Sequence, residues 1–256
     1  MLLAIPGKIK SAFFEFLRFT RFSFRTLRGV KYVFVYWQDT LAQMHIMGNQ
    51  ALPLVLAAAA SIGMVMTLEW GTKLEQFGAK LMTGRMVAIS VIRVIGPTIT
   101  GLMIAARSGA KLVSEIGNMV LTEQVDALRA FGTDPIKRLI VPRVFASVLL
   151  MAPLTALADA VGIIAGWFIA VNTLAVDSEF FWLSVFNGLT FKDLFVGGLK
   201  PPFYGLLVGL VGCYMGYTVR GGSVGLGKAA TLTAMFTSLS VLLMDFVLTK
   251  LVIALY

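Results

Sequence analysis

The sequence has one cysteine, Cys213, and one histidine, His45, in 256 residues. A lone cysteine permits no internal disulfide, and one histidine leaves neither a Cys/His metal cluster nor a serine–histidine–acid set. Acidic residues are scarce, 13 against 22 Lys and Arg, and charged residues make up 14% of the chain, where a soluble domain carries about 25%. These shortages exclude a disulfide scaffold, a disordered protein and an ordinary soluble enzyme. No cleavable signal peptide is visible, because the first apolar stretch, 1–5, is short and basic residues follow it. Apolar residues dominate instead, at 58% of the chain, with a mean hydropathy of +0.85. The net charge of +9 therefore reads as positive charge sorted to one side of a membrane, not as a nucleic-acid surface.

A membrane helix needs about 20 mostly apolar residues. Five stretches meet that length: 49–69, 86–106, 139–172, 194–218 and 230–255. The third is long enough to tilt, with Pro153 as its expected kink. An odd number of spans puts the termini on opposite sides. Lys8, Lys10, Arg18, Arg21, Arg25, Arg28 and Lys31 precede the first span; Arg107, Lys111, Arg129, Lys137, Arg138 and Arg143 follow the second; Arg220 and Lys228 follow the fourth. The opposite loops hold only Lys73, Lys80, Arg85 and Lys192, with Lys200 and Lys250 near helix ends. The bias predicts a cytoplasmic N-terminus and an exoplasmic C-terminus.

Residues 1–45 form a separate, non-spanning region. On a helical wheel Lys10, Arg18, Arg21, Arg25 and Arg28 share one face and Ile9, Phe13, Phe16, Phe24 and Leu27 the other, while Phe14 and Phe22 break the pattern. This predicts an amphipathic helix in the inner-leaflet interface, with arginines at lipid phosphates. The segment 177–192 predicts a second interfacial helix on the other side, with Phe180, Phe181 and Trp182 in the aromatic belt.

The loop 107–138 has helix-boundary chemistry. Thr122 is placed to cap a helix over 123–131, with Glu123 and Asp126 in its first turn. Gly132 is placed to end it, Asp134 to cap the next helix and Pro135 to take that helix's first position. Val125, Leu128 and Phe131 share a face. The expectation is a short, stiff amphipathic helix between two spans, able either to transmit force from a soluble partner or merely to cover its own bundle.

Charges inside spans are costly, at about 2.5–3.5 kcal/mol each near the centre. Arg93 lies about 10 Å below the exoplasmic end of its span at 1.5 Å per residue, and Asp159 and Asp245 fall at similar depth. Two readings follow: an ion pair of Arg93 with Asp245 or Asp159, or an arginine fork lining a cavity and meeting a lipid phosphate. Both hold if the pair lines the cavity. The glycines at 205, 209, 212 and 216, and Gly162 with Gly166, have the spacing that lets membrane helices approach closely, within the chain or between copies. The run Gly222-Ser-Val-Gly-Leu-Gly227-Lys228-Ala229 resembles a phosphate-binding loop, but it ends in alanine and follows a span instead of a strand, so a tight turn is expected and no nucleotide. His45, Cys213 and the 13 methionines read as packing.

The run from Ala106 to Arg143 resembles the MlaE family of ABC transporter permeases, membrane subunits of bacterial MCE lipid-transport systems. The residues that carry the resemblance are Glu115, Ile116, Gly117, Met119, Thr122, Glu123, Gln124, Asp126, Ala127, Leu128, Gly132, Asp134, Pro135, Leu139, Pro142 and Arg143, together with Gly225-Leu-Gly-Lys-Ala-Ala-Thr231 and Asp245-Phe-Val-Leu-Thr249. It covers roughly 48–256. It departs from the family at Arg93-Val94-Ile95-Gly96-Pro97, where relatives often have glutamate at the second position, and it is loose over 69–85. The resemblance implies an all-α polytopic membrane protein forming one permease domain over 1–256. Its parts would be an N-terminal interfacial helix, five spans and a cytoplasmic coupling helix. It also implies a homodimer in the bacterial inner membrane, with cytoplasmic ABC ATPase subunits that bind ATP and magnesium. A periplasmic MCE protein would dock on the other face, and phospholipid would move between the inner membrane and the periplasm or outer membrane. The chain itself would be no enzyme and would bind no cofactor or metal. The resemblance assigns ATPase coupling to Glu115, Gly117, Glu123, Asp126, Leu128, Arg129, Phe131 and Gly132. The alternatives are a permease for sterol or another hydrophobic substrate, and an ATP-independent secondary transporter.

Overall fold

The computed structural model describes residues 7–254, with side chains from Phe13 onward. The side chains of Lys8, Ile9 and Lys10 and the stretch 1–5 therefore lie outside the described residues. Among the described residues there is no strand. Five helical runs are long and apolar enough to cross a membrane: Trp37–Gln76, Lys80–Leu121, Ile136–Asn172, Phe191–Tyr217 and Gly222–Ala254. The chain is an all-α polytopic membrane protein. In order, its helices are α1 (Gly7–Arg28), α2 (Lys31–Val35), α3 (Trp37–Gln76), α4 (Thr83–Ser90), α5 (Gly96–Ile104), α6 (Ala110–Leu121), α7 (Gln124–Ala130), α8 (Val141–Asn172), α9 (Ser178–Gly188), α10 (Phe191–Tyr217) and α11 (Gly222–Ala254).

The expected spans sit inside these helices, but several helices run further. α3 begins at Trp37, so the end of the expected N-terminal region is continuous with the first spanning helix. The second crossing continues from α4 through a π turn (Val91–Ile95), α5, a second π turn (Ala105–Gly109) and α6. Residues 107–121, expected in a loop, are thus helical. Arg107 and Lys111 do not end the helix; Leu112, Val113 and Ile116 go on packing in the core. A third π turn (Ile136–Ile140) leads into α8, which continues through Pro153. The tight turn expected over 222–227 is confined to Gly221 and Gly222, with φ of +88° and +67°. Gly225 and Gly227 are already in α11.

The glycine seams pack helices of the same chain. A Cβ on Gly63 of α3 would lie 2.0 Å from the Gly162 carbonyl oxygen of α8, and one on Gly166 would lie 2.5 Å from Thr67 Oγ1. On α10, Gly205 and Gly209 face Ser147 of α8, and Gly212 and Gly216 face α6. With so little lateral hydrophobic drive in lipid, such close backbone approach supplies the dispersion contacts that hold the bundle.

The broken pattern of α1 has a simple cause: the helix has two apolar faces. Phe13, Phe16, Phe24 and Leu27 are exposed, as a lipid-facing stripe requires. Phe22 is buried, with its ring edge-on to Tyr214 at 5.4 Å and tilted against Tyr217 at 5.9 Å. α9 is capped by Asp177, which accepts from the N–H groups of Glu179 and Phe180. Phe180 is exposed, but Phe181, expected in the aromatic belt, is fully buried against Trp182.

Candidate functional site

Pro97 has no N–H to give to the Arg93 carbonyl four residues earlier. The chain relaxes into the π turn at that point, and the carbonyl is met from outside the helix. Lys200 of α10 donates to it at 2.9 Å. The same ammonium donates to Asp245 Oδ1 and Thr249 Oγ1 of α11, each at 2.9 Å. A lysine only 2% exposed thus has a separate acceptor for each of its three protons. Tyr204 adds a hydrogen bond to Asp245 Oδ1 at 2.7 Å. The π turn, α10 and α11 are tied together by one buried polar knot.

The ion pairs expected for Arg93 are different in the structure. Arg93 lies 3.3 Å from Asp193 Oδ1, a carboxylate at the start of α10 that also accepts from the Thr190 N–H and hydroxyl. Asp245 belongs to Lys200. Asp159 is ion-paired with neither; its Oδ1 packs on Gly96, where a Cβ would lie 1.6 Å away. Sequence reasoning missed Lys200, which counted as a residue near a helix end, and missed Asp193. The available signal was Pro97 inside a span, which obliges some donor to reach the Arg93 carbonyl.

Above the knot lies a cavity of about 380 Å³ whose wall includes Arg93, Val94, Val196, Lys200, Thr249 and Ile253. Val94, 42% exposed, stands on the cavity wall beside Arg93. One end of an amphiphile would meet a guanidinium there, and the remainder would meet aliphatic side chains.

A second feature occupies the end of the bundle that carries α1. Helix α7 follows a reversal at Glu123, whose φ is +59°. Thr122 does not cap it, because its hydroxyl donates back to the Asn118 carbonyl at 2.8 Å. Gly132 ends the turn at φ +73°, Asp134 Oδ1 accepts from the Ile136 N–H at 3.1 Å, and Pro135 opens the next helix, all as expected. Val125 is buried and Leu128 half-buried against the bundle, while Asp126 is exposed. Arg129 is held by Asp126 and by the Tyr217 hydroxyl. Phe131 is 85% exposed.

Glu115 and Gly117, expected beside this helix at a partner surface, also make contacts within the bundle. Glu115 lies 3.5 Å from Arg143 Nε and 3.7 Å from Lys111, and a Cβ on Gly117 would lie 2.3 Å from Leu226 of α11. The arginines of α1 divide likewise. Arg25 is committed to Asp134 at 2.8 Å, Arg18 to Glu15 at 3.2 Å, and Arg28 lies over the Phe24 ring at 4.5 Å. Arg21 is exposed.

The family model for the permease MlaE matches residues 40–251, a span that holds the polar knot, α7 and the cavity wall except Val252 and Ile253. The chain belongs to the MlaE permease family. The intermembrane phospholipid transport system permease protein MlaE of Haemophilus influenzae is 38% identical over 208 residues, 81% of this chain and 80% of that protein. A probable ABC transporter permease protein of Rickettsia felis is 32% identical over 98% of both chains. The chloroplastic protein TRIGALACTOSYLDIACYLGLYCEROL 1 of Arabidopsis thaliana is 28% identical over 84% of this chain and 62% of that protein.

Proposed function

We propose that this chain is the permease subunit of an ATP-driven transporter that moves phospholipid. The observation that carries the reading is the cavity in which Arg93 stands with Ser90, Lys200 and Thr249 among aliphatic side chains, in a chain of the MlaE family. A guanidinium offers two parallel donors to a phosphate, and the aliphatic wall suits acyl chains. The Lys200–Asp245 knot keeps that wall in register among three helices.

ATP binding and hydrolysis, with magnesium, belong to a cytoplasmic ABC ATPase partner. α7 is the coupling helix, and Phe131 is its anchor, since an aromatic side chain left in water at the tip of a stiff helix is what a partner's groove takes up. Glu123, Asp126, Leu128, Arg129 and Gly132 shape and surround that contact. The N-terminus is cytoplasmic and the C-terminus periplasmic, in a multi-pass inner-membrane protein. Two copies form a homodimer, and a periplasmic MCE protein receives or supplies the lipid. An ATP-independent secondary transporter is not favoured, because relatives carry ABC permease names.

The test is reconstitution of the permease with its ATPase in phospholipid vesicles, with lipid movement followed by a fluorescent phospholipid. Movement that requires ATP and fails in Arg93→Ala supports the reading. Movement at the normal rate without the ATPase contradicts it.

A further inference from the structure

Asp159 of α8 makes no hydrogen bond or ion pair to any described residue, and its Oδ1 is shut away from solvent without a partner. One turn before it, Thr155 is 2% exposed and its hydroxyl also lacks a partner. Both residues line a groove of about 280 Å³ between α8, the first π turn and the early turns of α10. Ala152, Ala156 and Ala160 follow one another along one wall and Gly197 with Gly198 form the other. A Cβ on Gly198 would meet nothing within 4 Å, so this wall is open. The groove backs onto the Arg93 cavity. Ile92 and Gly197 face the groove, whereas Arg93, Val94 and Val196 face the cavity. The wall between them is closed where Gly197 packs on the Ile92 carbonyl, 2.3 Å from a would-be Cβ.

A carboxyl group with no protein partner at membrane depth is expensive and marks a site by default. Gly96 keeps it there: any side chain at that position would collide with Oδ1. We propose that the groove is a second lipid site, separate from the Arg93 cavity, and that Asp159 and Thr155 take the primary ammonium head group of an aminophospholipid. The charge is complementary, and the ammonium brings N–H donors to a carboxyl and a hydroxyl group that have none from the protein, which the two side chains reach by turning toward the groove when the lipid binds. The small side chains leave room for the adjoining glycerol and upper acyl chain. The bilayer supplies such lipids directly to the open wall. The site rests on the reading that the chain handles phospholipid, but its occupancy is measured without transport.

The experiment uses phosphatidylethanolamine and phosphatidylcholine with identical chains, mixed equally in nanodiscs holding the intact protein. Both head groups carry the same charges, but only the first has N–H donors. Co-purified lipid is quantified by mass spectrometry after detergent extraction. Wild type retains phosphatidylethanolamine over phosphatidylcholine by about fivefold or more, as charged hydrogen bonds imply. Asp159→Asn brings the ratio near one, and Thr155→Val, which keeps its shape, reduces it; thermal unfolding confirms that both are folded. Should Asp159→Asn fail to fold, Thr155→Val carries the test. An unchanged ratio in these variants overturns the site. So does a preference abolished by Arg93→Ala and kept by Asp159→Asn, which would place it in the cavity. A photo-crosslinker at Ala156 that captures a polypeptide in place of lipid also overturns it, making the groove a helix-docking seam. Equal retention by wild type, with ATP-dependent transport intact, refutes this site and leaves the transport reading standing.

Discussion

Lys200 Nζ lies 2.9 Å from the carbonyl oxygen of Arg93, a carbonyl that Pro97 leaves without its helical donor. A backbone defect in one span is thereby answered by a side chain of another. The same ammonium neutralises Asp245 on a third helix. Loss of Lys200 removes the external donor to the Arg93 carbonyl and the cation beside Asp245 together, and leaves Asp245 only the Tyr204 hydroxyl.

The first prediction concerns that knot. Lys200→Met leaves the part-buried Asp245 carboxylate with the Tyr204 hydroxyl but no cation, which costs about 1.5–3 kcal/mol. Adding Asp245→Asn returns a large part of that loss. Thermal unfolding in detergent checks both. Equal stability of Lys200→Met and wild type would show that the pair does not hold the helices together.

A second prediction separates Arg93 from this structural role. Its side chain pairs with Asp193 while its backbone carbonyl anchors Lys200, so Arg93→Ala keeps the carbonyl and the knot. The variant still folds, but its unfolding temperature falls below wild type because Asp193 keeps only the Thr190 N–H and hydroxyl as donors, and phospholipid movement falls by about tenfold to a hundredfold, the loss of one or two charged hydrogen bonds. Arg93→Lys, which offers a point charge without the fork, recovers only part.

Packing between α3 and α8 makes a third prediction. Gly63→Val drives a side chain into the Gly162 carbonyl, at a cost of about 1–3 kcal/mol or more. Gly132→Ala acts differently, since nothing lies near its would-be Cβ but its φ is +73°. It disturbs the turn after α7 and leaves the bundle's unfolding temperature nearly unchanged. Equal destabilisation by the two would contradict this division.

A fourth prediction concerns α7. Phe131→Ala removes an exposed ring that the permease itself does not cover, so the isolated permease keeps its stability. Binding to the ATPase weakens by about 30-fold, the signature of an aromatic anchor worth about 2 kcal/mol. Asp126→Asn, at an exposed pair with Arg129, shifts stability by less than about 1 kcal/mol. Pull-down of the ATPase by each variant distinguishes the two.

Much of this arrangement was legible in the sequence, and the misses have physical causes. Apolar runs located the five crossings, because lipid leaves the backbone no alternative to a helix. Local chemistry placed Gly132, Asp134 and Pro135 correctly around the turn after α7. Helix ends outside the apolar layer were not legible: hydropathy drops at Arg107, whereas the helix persists to Leu121. Partners across the bundle were equally hidden. Depth along a helix suggested Asp245 and Asp159 for Arg93, but depth does not say which face a residue takes. α10 turned Lys200 toward Asp245 and Asp193 toward Arg93. The double-faced α1 defeated a two-sided wheel because Phe22 packs on tyrosines from a helix far away in the chain.

The central claim, a lipid cavity driven through α7 by a separate ATPase, is tested most directly by one reconstitution. Phospholipid movement is measured in vesicles holding the permease with its ATPase, with and without ATP, for wild type and Phe131→Ala. The account predicts ATP-dependent movement in wild type, and its loss in Phe131→Ala while the permease stays folded. Undiminished movement in the variant, or in wild type without the ATPase, would contradict it.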